Sequence, residues 1–483
     1  MPLLKIQVLD SSKSQITPAR VHLRDEKGKY YYPKKCLPYE KGNHFTTDGQ
    51  FKILLPVCKI SLLVEKGKEY IPVEGEFDLE KGQDYHIDCE LQRWINMAEL
   101  GWYSGDLHIH RPIGEMKNLI LAEDLNVAPN ITVWNDWKYS DKDVKLVPRN
   151  RIIQADKLHA TSILTQEDER QGSALIMFNL DSPIELGLRS DWYPAGFAYC
   201  RIAHEMGYMV DQEKPFWWEA PVNIALGGVD TIGIMNNHIQ REEIMDNEAW
   251  GKPRDLQKYP GYRGFVDNVL DQYYHYLNLG MKLPISAGSA SGVLKNPVGF
   301  NRLYVHLEEE FGYYEWFIGM KQGRSFATNG PMLFFAIDGQ EPGANIKSKE
   351  PIQAKVACRA LSKEPLENLQ IIYNGEIIHE FGEDGAKELT QEFDLQLNKS
   401  GWIIARAFEK SNKTVKFAHT SPIYVEIGSP MIPRRDSALY YADWCKELLQ
   451  ISKADKGRYI ANLQREEVES LYRRAIAFYE KML

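Results

Sequence analysis

The stretch GWYSGDLHIHRP, residues 101–112, decides how this chain is read. In a β-strand successive side chains alternate between two faces. Asp106, His108 and His110 then share one face, and Leu107 and Ile109 share the other. The apolar pair can bury, while two imidazoles two residues apart reach towards one metal ion. Imidazole suits zinc, iron, manganese or nickel. The competing reading is a half-buried strand whose polar face meets solvent or loops.

The surrounding texture weighs on that choice. Across residues 93–330 short apolar runs alternate with amphipathic stretches. NITVW, SALIMFNL, YMVDQ, VDTIGIM and LPISAGS read as strands. MKNLILAEDLN, GFAYCRIAHEMG, WFIGMKQGRSF and FVDNVLDQYYHYLNLG read as helices, the last ending at Gly280. Repeated strand–helix units predict an α/β architecture with parallel strands, and the length suits a barrel-like closure. Ligands at strand ends belong at the mouth of such a barrel.

The flanks differ. Residues 1–92 alternate at period two, as in LLKIQVLD, and are punctuated by the turn signals TDGQ and EKGQ. They predict a β-sandwich resembling carboxypeptidase-regulatory-like modules. Residues 331–430 return to short β-runs and resemble an immunoglobulin-like sandwich. Residues 431–483 predict helices packed on the body. Asp436 or Ser437 can cap the first, which carries Leu439, Trp444 and Leu448. In the last, Val468, Leu471, Tyr472, Ala475, Phe478, Tyr479 and Met482 form an apolar stripe.

Bulk composition excludes some classes. The 483 residues carry a net charge of −9 with acids and bases interspersed, which argues against nucleic acid or an anionic membrane as partner. A small-molecule or carbohydrate substrate fits instead; the oligomeric state is open. No apolar run is long enough to span a membrane. MPLLKIQVLDSSK is too short in its apolar run for a signal peptide. The chain as read is therefore cytoplasmic, and a processed periplasmic or secreted form stays compatible. Six cysteines lie far apart without a CxxC pair and read as buried free thiols, with Cys58–Cys89 the one pairing to consider.

One HxH is half a site, and later strand ends must complete it. SILTQEDER offers Glu167, Asp168 and Glu169, and GYMVDQEKP offers Asp211, Glu213 and Lys214. VDTIGIMNNHIQRE offers Asn236, Asn237 and His238, and the asparagine amides can orient an imidazole or a substrate oxygen. Lys214 reads either as a surface lysine or as a substrate contact. GSASG (288–292) either cups an anion with backbone N–H groups or makes a tight turn. His159 and His204 read as structural. Trp134, Trp137, Trp192, Tyr193, Trp217 and Trp218 either stack a sugar or aromatic substrate or seal domain contacts.

GWYSGDLHIH resembles the opening motif of the PHP (polymerase and histidinol phosphatase) superfamily, and more narrowly its CehA/McbA-like metallohydrolase branch. TNGPML (328–333) and the flanking β-regions fit that branch too. The resemblance covers about half the chain. It implies a distorted (β/α)7 barrel with metals at one face and hydrolysis of an ester, carbamate or phosphoester by metal-activated water. His108 and His110 match the first motif, and Glu167 stands where the family has a strand-end glutamate. Later motifs depart: TVWNDW supplies Asn135 and Asp136, Lys214-Pro215 replaces a His-Pro, and Ser289-Ala290-Ser291 replaces an Asp-x-His. With these losses the consistent expectation is a reduced site for one or two divalent ions (Zn, Mn or Fe) held by His108, His110, Glu167 and His238, the last not a standard ligand of the family but near one. Glu169 or Asp136 would be the general base. Arg241 or Arg302 would pair with an anionic substrate group, and Asn237, Trp217 and Lys214 would line the substrate. A carbohydrate-active hydrolase or lyase, and a non-catalytic binding protein on a degenerate scaffold, are the two other readings.

Overall fold

A computed structural model describes residues 1–134, 151–187, 189–455 and 457–483. It is a mixed α/β protein with strands in four sheets. Residues Leu3–Arg93 fold as two five-stranded sheets face to face. In Leu3–Asp10 every second residue (Leu4, Ile6, Val8, Asp10) is buried, so the period-two pattern became one inward face. Leu4, Ile6 and Val8 share a core with Val21, Leu23, Phe45, Ile60 and Leu62. Cys58 and Cys89 remain free thiols, as do the other four cysteines.

The largest sheet runs, neighbour to neighbour, through Ile285–Ala287, Thr231–Met235, Met209–Gln212, Ala174–Phe178, Ala160–Glu169, Val127–Trp134 and Trp102–Gly105. It then continues through Arg302–His306 and Ser325–Thr328 into the C-terminal β-region at Phe417–Thr420. The expectation of parallel strands holds for four of the six neighbour pairs in the series of seven, while the continuation through Arg302–His306 and Ser325–Thr328 is antiparallel and Ala174–Phe178 is antiparallel to both of its partners. The reason lies in chain length. Only residues 170–173 separate it from the preceding strand, enough for a hairpin and too few for a parallel crossover.

Among the described residues the strand ladders do not close into a barrel. GDLHIH is also not a ladder strand. The strand ends at Gly105, and the chain beyond it makes single contacts. Leu107 N–H donates to the Ala287 carbonyl (3.1 Å) and His110 N–H to the Ser291 carbonyl (2.7 Å). These bonds join the stretch beyond Gly105 to the far end of the sheet.

Helices Ile113–Ala122, Gly196–Glu205, Ala220–Ala225, Gly261–Asn278 and Tyr313–Lys321 flank these strands. Gly280, with φ +77°, ends the long helix where its lack of Cβ removes the left-handed penalty. In the C-terminal β-region a three-stranded sheet (Met332–Ile337, Ile352–Leu361, Glu388–Leu397) shares a core with the continuing large sheet, including Val356, Ile371 and Ala405.

Two C-terminal helices, Arg435–Ala454 and Asn462–Glu480, pack together. The first starts at Arg435, just before the expected caps, and Leu439 faces outward while Tyr441, Trp444 and Leu448 are buried. Val468, Tyr472, Ala475 and Tyr479 bury the stripe of the second. Its tyrosine hydroxyls reach inward. Tyr472 donates to Glu219 Oε1 (2.6 Å) and Tyr479 to the Pro221 carbonyl (2.7 Å). Glu219 is buried, and its other oxygen accepts the Gly196 N–H (2.7 Å). Tyr472→Phe therefore strips one donor from a buried carboxylate and is expected to cost about 1–3 kcal/mol. Urea unfolding measures this; an unchanged midpoint would show that the helix docks by apolar packing alone.

Candidate metal centre

The end of Trp102–Gly105 and the end of Ala160–Glu169 meet at one place. His108 Nε2 and His110 Nε2 are 3.0 Å apart. Glu167 Oε1 lies 3.3 Å from the first, and Glu167 Oε2 lies 3.1 Å from the second. One potential ligand atom from each of the three residues falls within 4.8 Å of the others. His108 and Glu167 are each 1% exposed, so neither is solvated. Both Glu167 oxygens lack a hydrogen bond of acceptable geometry. A buried carboxylate normally has partners. Two ring nitrogens and an unbonded carboxylate facing one point are the donor set of a zinc, manganese or ferrous site. The residues present therefore fit a divalent ion.

Two glycines make this packing possible. A Cβ on Gly288 would lie 2.5 Å from His108 Cβ, and one on Gly292 would lie 1.9 Å from the His110 carbonyl oxygen. GSASG is thus the loop against which HxH lies. One of its backbone donors serves the protein's own anion: Asp106 Oδ1 accepts the Ser289 N–H (3.0 Å), together with that of His108 (3.1 Å), and Asp106 Oδ2 accepts that of Gly299 (2.7 Å). Burial still pushes the Asp106 carboxyl up to about 6. Asp106 anchors the HxH loop rather than joining the ligand face.

Behind the histidines stands a residue that no assigned role had covered. Glu213 Oε1 is 3.0 Å from His108 Nδ1. In the neutral ring, with Nδ1–H donated there, the lone pair of His108 lies on Nε2, towards His110 and Glu167; in the ion-free protein that nitrogen carries a proton, which an incoming ion would displace. Burial works against a charge on His108, but Glu167 and Glu213 outweigh it and hold the imidazole up to about 9. Burial alone would also raise Glu213; Lys214 and His108 instead hold it well below the usual carboxylate range. The sequence signal for Glu213 was its place just beyond the Met209–Gln212 strand.

Lys214 is 1% exposed, so it is not a surface lysine. Its Nζ pairs with Glu213 Oε2 (2.5 Å) and Glu169 Oε1 (2.7 Å). Glu169 shares a strand face with Glu167, two residues on, and retains some exposure. Asp211 turns elsewhere and accepts hydrogen bonds from Thr231 and Ser286.

The other expected residues are dispersed. His238 is not in the cluster of three. Its Nδ1 donates to the Asn247 carbonyl (2.8 Å), and its ring lies parallel to Phe265. Burial, then Lys214, brings its pKa down to about 4. Asn237 is buried beside it, its side-chain oxygen without a hydrogen bond. Arg302 is fully buried and gives its guanidinium to the carbonyls of Gly299, Glu123 and Asp124. Arg241 pairs with Glu65 of the N-terminal sheets (2.7 Å). Trp217 is fully buried and donates to the Arg170 carbonyl (2.6 Å), with Lys214 Nζ 4.9 Å from its ring. Its indole seals the interior. Asp136, Asn135 and Trp137 lie outside the described residues.

No protein-family model and no curated protein matches the chain. His159, paired with Asp156 (2.7 Å), and His204, paired with Asp230 (3.1 Å), take structural places as their positions suggested. No helix among the described residues is long and apolar enough to cross a membrane.

Proposed function

We propose that this protein is a metal-dependent hydrolase of an ester, carbamate or phosphoester, built on a distorted (β/α)7 barrel of PHP type with a reduced, one-ion site. One observation carries the reading: His108, His110 and Glu167 converge in a buried place with the Glu167 oxygens left without hydrogen bonds. The bonds from Leu107 and His110 to the 287–291 segment support the barrel, because they tie the two ends of the seven-strand series.

His108, His110 and Glu167 would hold the ion. A divalent ion there supplies Lewis-acid polarisation of a carbonyl or phosphoryl oxygen and makes water more acidic. The chain's own residues do the rest. Glu213 fixes the His108 tautomer through Nδ1. Lys214 holds Glu213 and Glu169 in place from within the protein. Glu169 is the residue of this group best placed to take a proton from an incoming nucleophile, since it borders the cluster and keeps contact with solvent. Trp217 and Trp192 are buried, whereas the half-buried Trp134 lies with its ring 4.8 Å from that of His110, which keeps a carbohydrate-active hydrolase or lyase as the second reading.

Elemental analysis and a panel of aryl esters, carbamates and phosphate esters test the proposal. About one ion per chain is expected, with turnover lost on chelation and restored by adding the ion. Equal turnover in stripped protein would remove the metal from the mechanism. A chain that takes up no ion would point to a non-catalytic binding protein.

A further inference from the structure

A second polar cavity, of about 800 Å³, opens where the N-terminal sheets, the central region and the C-terminal β-region meet. His108, His110 and Glu167 do not line it. Its inner wall carries Lys68, Lys363, Lys416 and Arg302, brought together from four separate places in the chain. Among the described residues neither Lys68 nor Lys363 has a carboxylate partner. Lys68 Nζ donates only to the Asn329 carbonyl (2.6 Å) and lies 4.3 Å from the Phe300 ring. Lys363 Nζ donates to the Tyr70 carbonyl (3.0 Å). Lys416 shares Glu409 (3.4 Å) with the Ser362 hydroxyl.

The nearby acids are already spent. Glu65 is held by Arg20 (3.2 Å) and Arg241 (2.7 Å), and Glu123 by Arg20 (2.6 Å). Glu74, Glu242 and Glu364 are exposed, and Glu242 is paired with Arg241 (3.3 Å) and Lys413 (2.8 Å). The inner wall thus sets three lysines and a saturated arginine against the one remaining carboxylate of Glu409. Gathering like charges in a half-buried cleft is unfavourable unless an anion joins them. The strain shows on the lysines. Burial, then Arg302, Lys416 and Lys363, pulls Lys68 well below the usual lysine range. Burial, against Glu65 and Glu409, brings Lys363 down to about 8.

We infer that this cleft is a second binding site, for a dianionic oxyanion group of the phosphoryl or sulfuryl kind, held by the ammonium groups of Lys68, Lys363 and Lys416. The three lysines against Glu409 leave an excess of two positive charges before Arg302 is counted, which matches such a group better than a single carboxylate, and each ammonium keeps donors free after its one bond to the protein. The cavity is larger than an inorganic ion, so the group is either free or carried on a small organic molecule. The inference stands independently of the hydrolase reading.

Titration calorimetry on the full chain, as purified and after chelation, tests it with inorganic phosphate, sulfate, phenyl phosphate and acetate at matched ionic strength. Phosphate and sulfate are expected to bind one per chain in both preparations, and acetate at least about tenfold more weakly. Lys363→Gln and Lys416→Gln are each expected to weaken phosphate about tenfold or more while leaving metal uptake unchanged. Both replace half-buried side chains, and an unaltered circular dichroism spectrum shows that the fold is kept. Tighter phenyl phosphate would mark an organic ligand, and equal affinity would mark the free ion; either supports the site. Absence of phosphate and sulfate binding in stripped protein, or unchanged affinity in both variants, would overturn it. Loss of metal uptake alone would remove the hydrolase reading and leave this site standing.

Discussion

His110→Ala is expected to lower metal affinity by more than about a hundredfold, beyond the usual cost of losing only an outer hydrogen-bond partner of a ligand. The fold should survive. Burial keeps His110 below the usual histidine range, hence neutral at pH 7, so its removal strands no buried charge. A change within about 1.5 kcal/mol is expected in metal-free protein. His108→Ala should lose the ion equally but behave differently without it. His108 sits between Glu167 and Glu213, and removing it leaves two buried carboxylates facing an empty space. That should cost about 3 kcal/mol or more. Melting curves with and without zinc separate the effects. An ion at 100 times its dissociation constant adds about 2.7 kcal/mol to the wild type, and neither variant should show that gain. If both variants still gained it, the cluster would not be the ligand set.

Lys214→Met should be the most damaging single change to stability. Lys214 is the counter-charge of both Glu213 and Glu169. Breaking a buried pair by removing one partner costs about 3–5 kcal/mol. Glu169 can turn towards water, whereas Glu213 is 3% exposed and cannot. The double variant Glu213→Gln with Lys214→Met should therefore recover part of the loss, because the stranded charge is gone. It should also bind metal more weakly than wild type, since a carboxamide holds His108 Nδ1 less firmly than a carboxylate. Urea unfolding in the presence of chelator gives the stabilities. A Lys214→Met protein within about 0.5 kcal/mol of wild type would show that Lys214 is not the clamp described here.

Much of this was legible from local pattern. Period-two alternation in Leu3–Asp10 and the stripe from Val468 to Tyr479 each became a buried face, because both arise from the geometry of one element. HxH likewise set two potential ligand histidines two residues apart, although on a loop beyond the strand end rather than on a ladder. Roles that depend on which distant element arrives were not legible. Arg302 and Arg241 look alike in sequence, yet one is wrapped in carbonyls and the other crosses to Glu65. The tryptophans of PFWWE read equally as a stacking surface or as a seal between parts; Trp217 is buried, and the Trp218 carbonyl accepts from Trp444 of the first C-terminal helix.

The division is clearest at GYMVDQEKP. By itself the sequence determined that carboxylates and a lysine follow an apolar strand, and that His108 and His110 lie close enough to share an ion. Asp211, Glu213 and Lys214 were equivalent at that level. Only the tertiary structure sent Asp211 to Thr231 and Ser286, set Glu213 behind His108, and buried Lys214 between two acids. The physical reason is that burial and partner choice set the charge and direction of an ionisable group, and both come from elements far away in the chain.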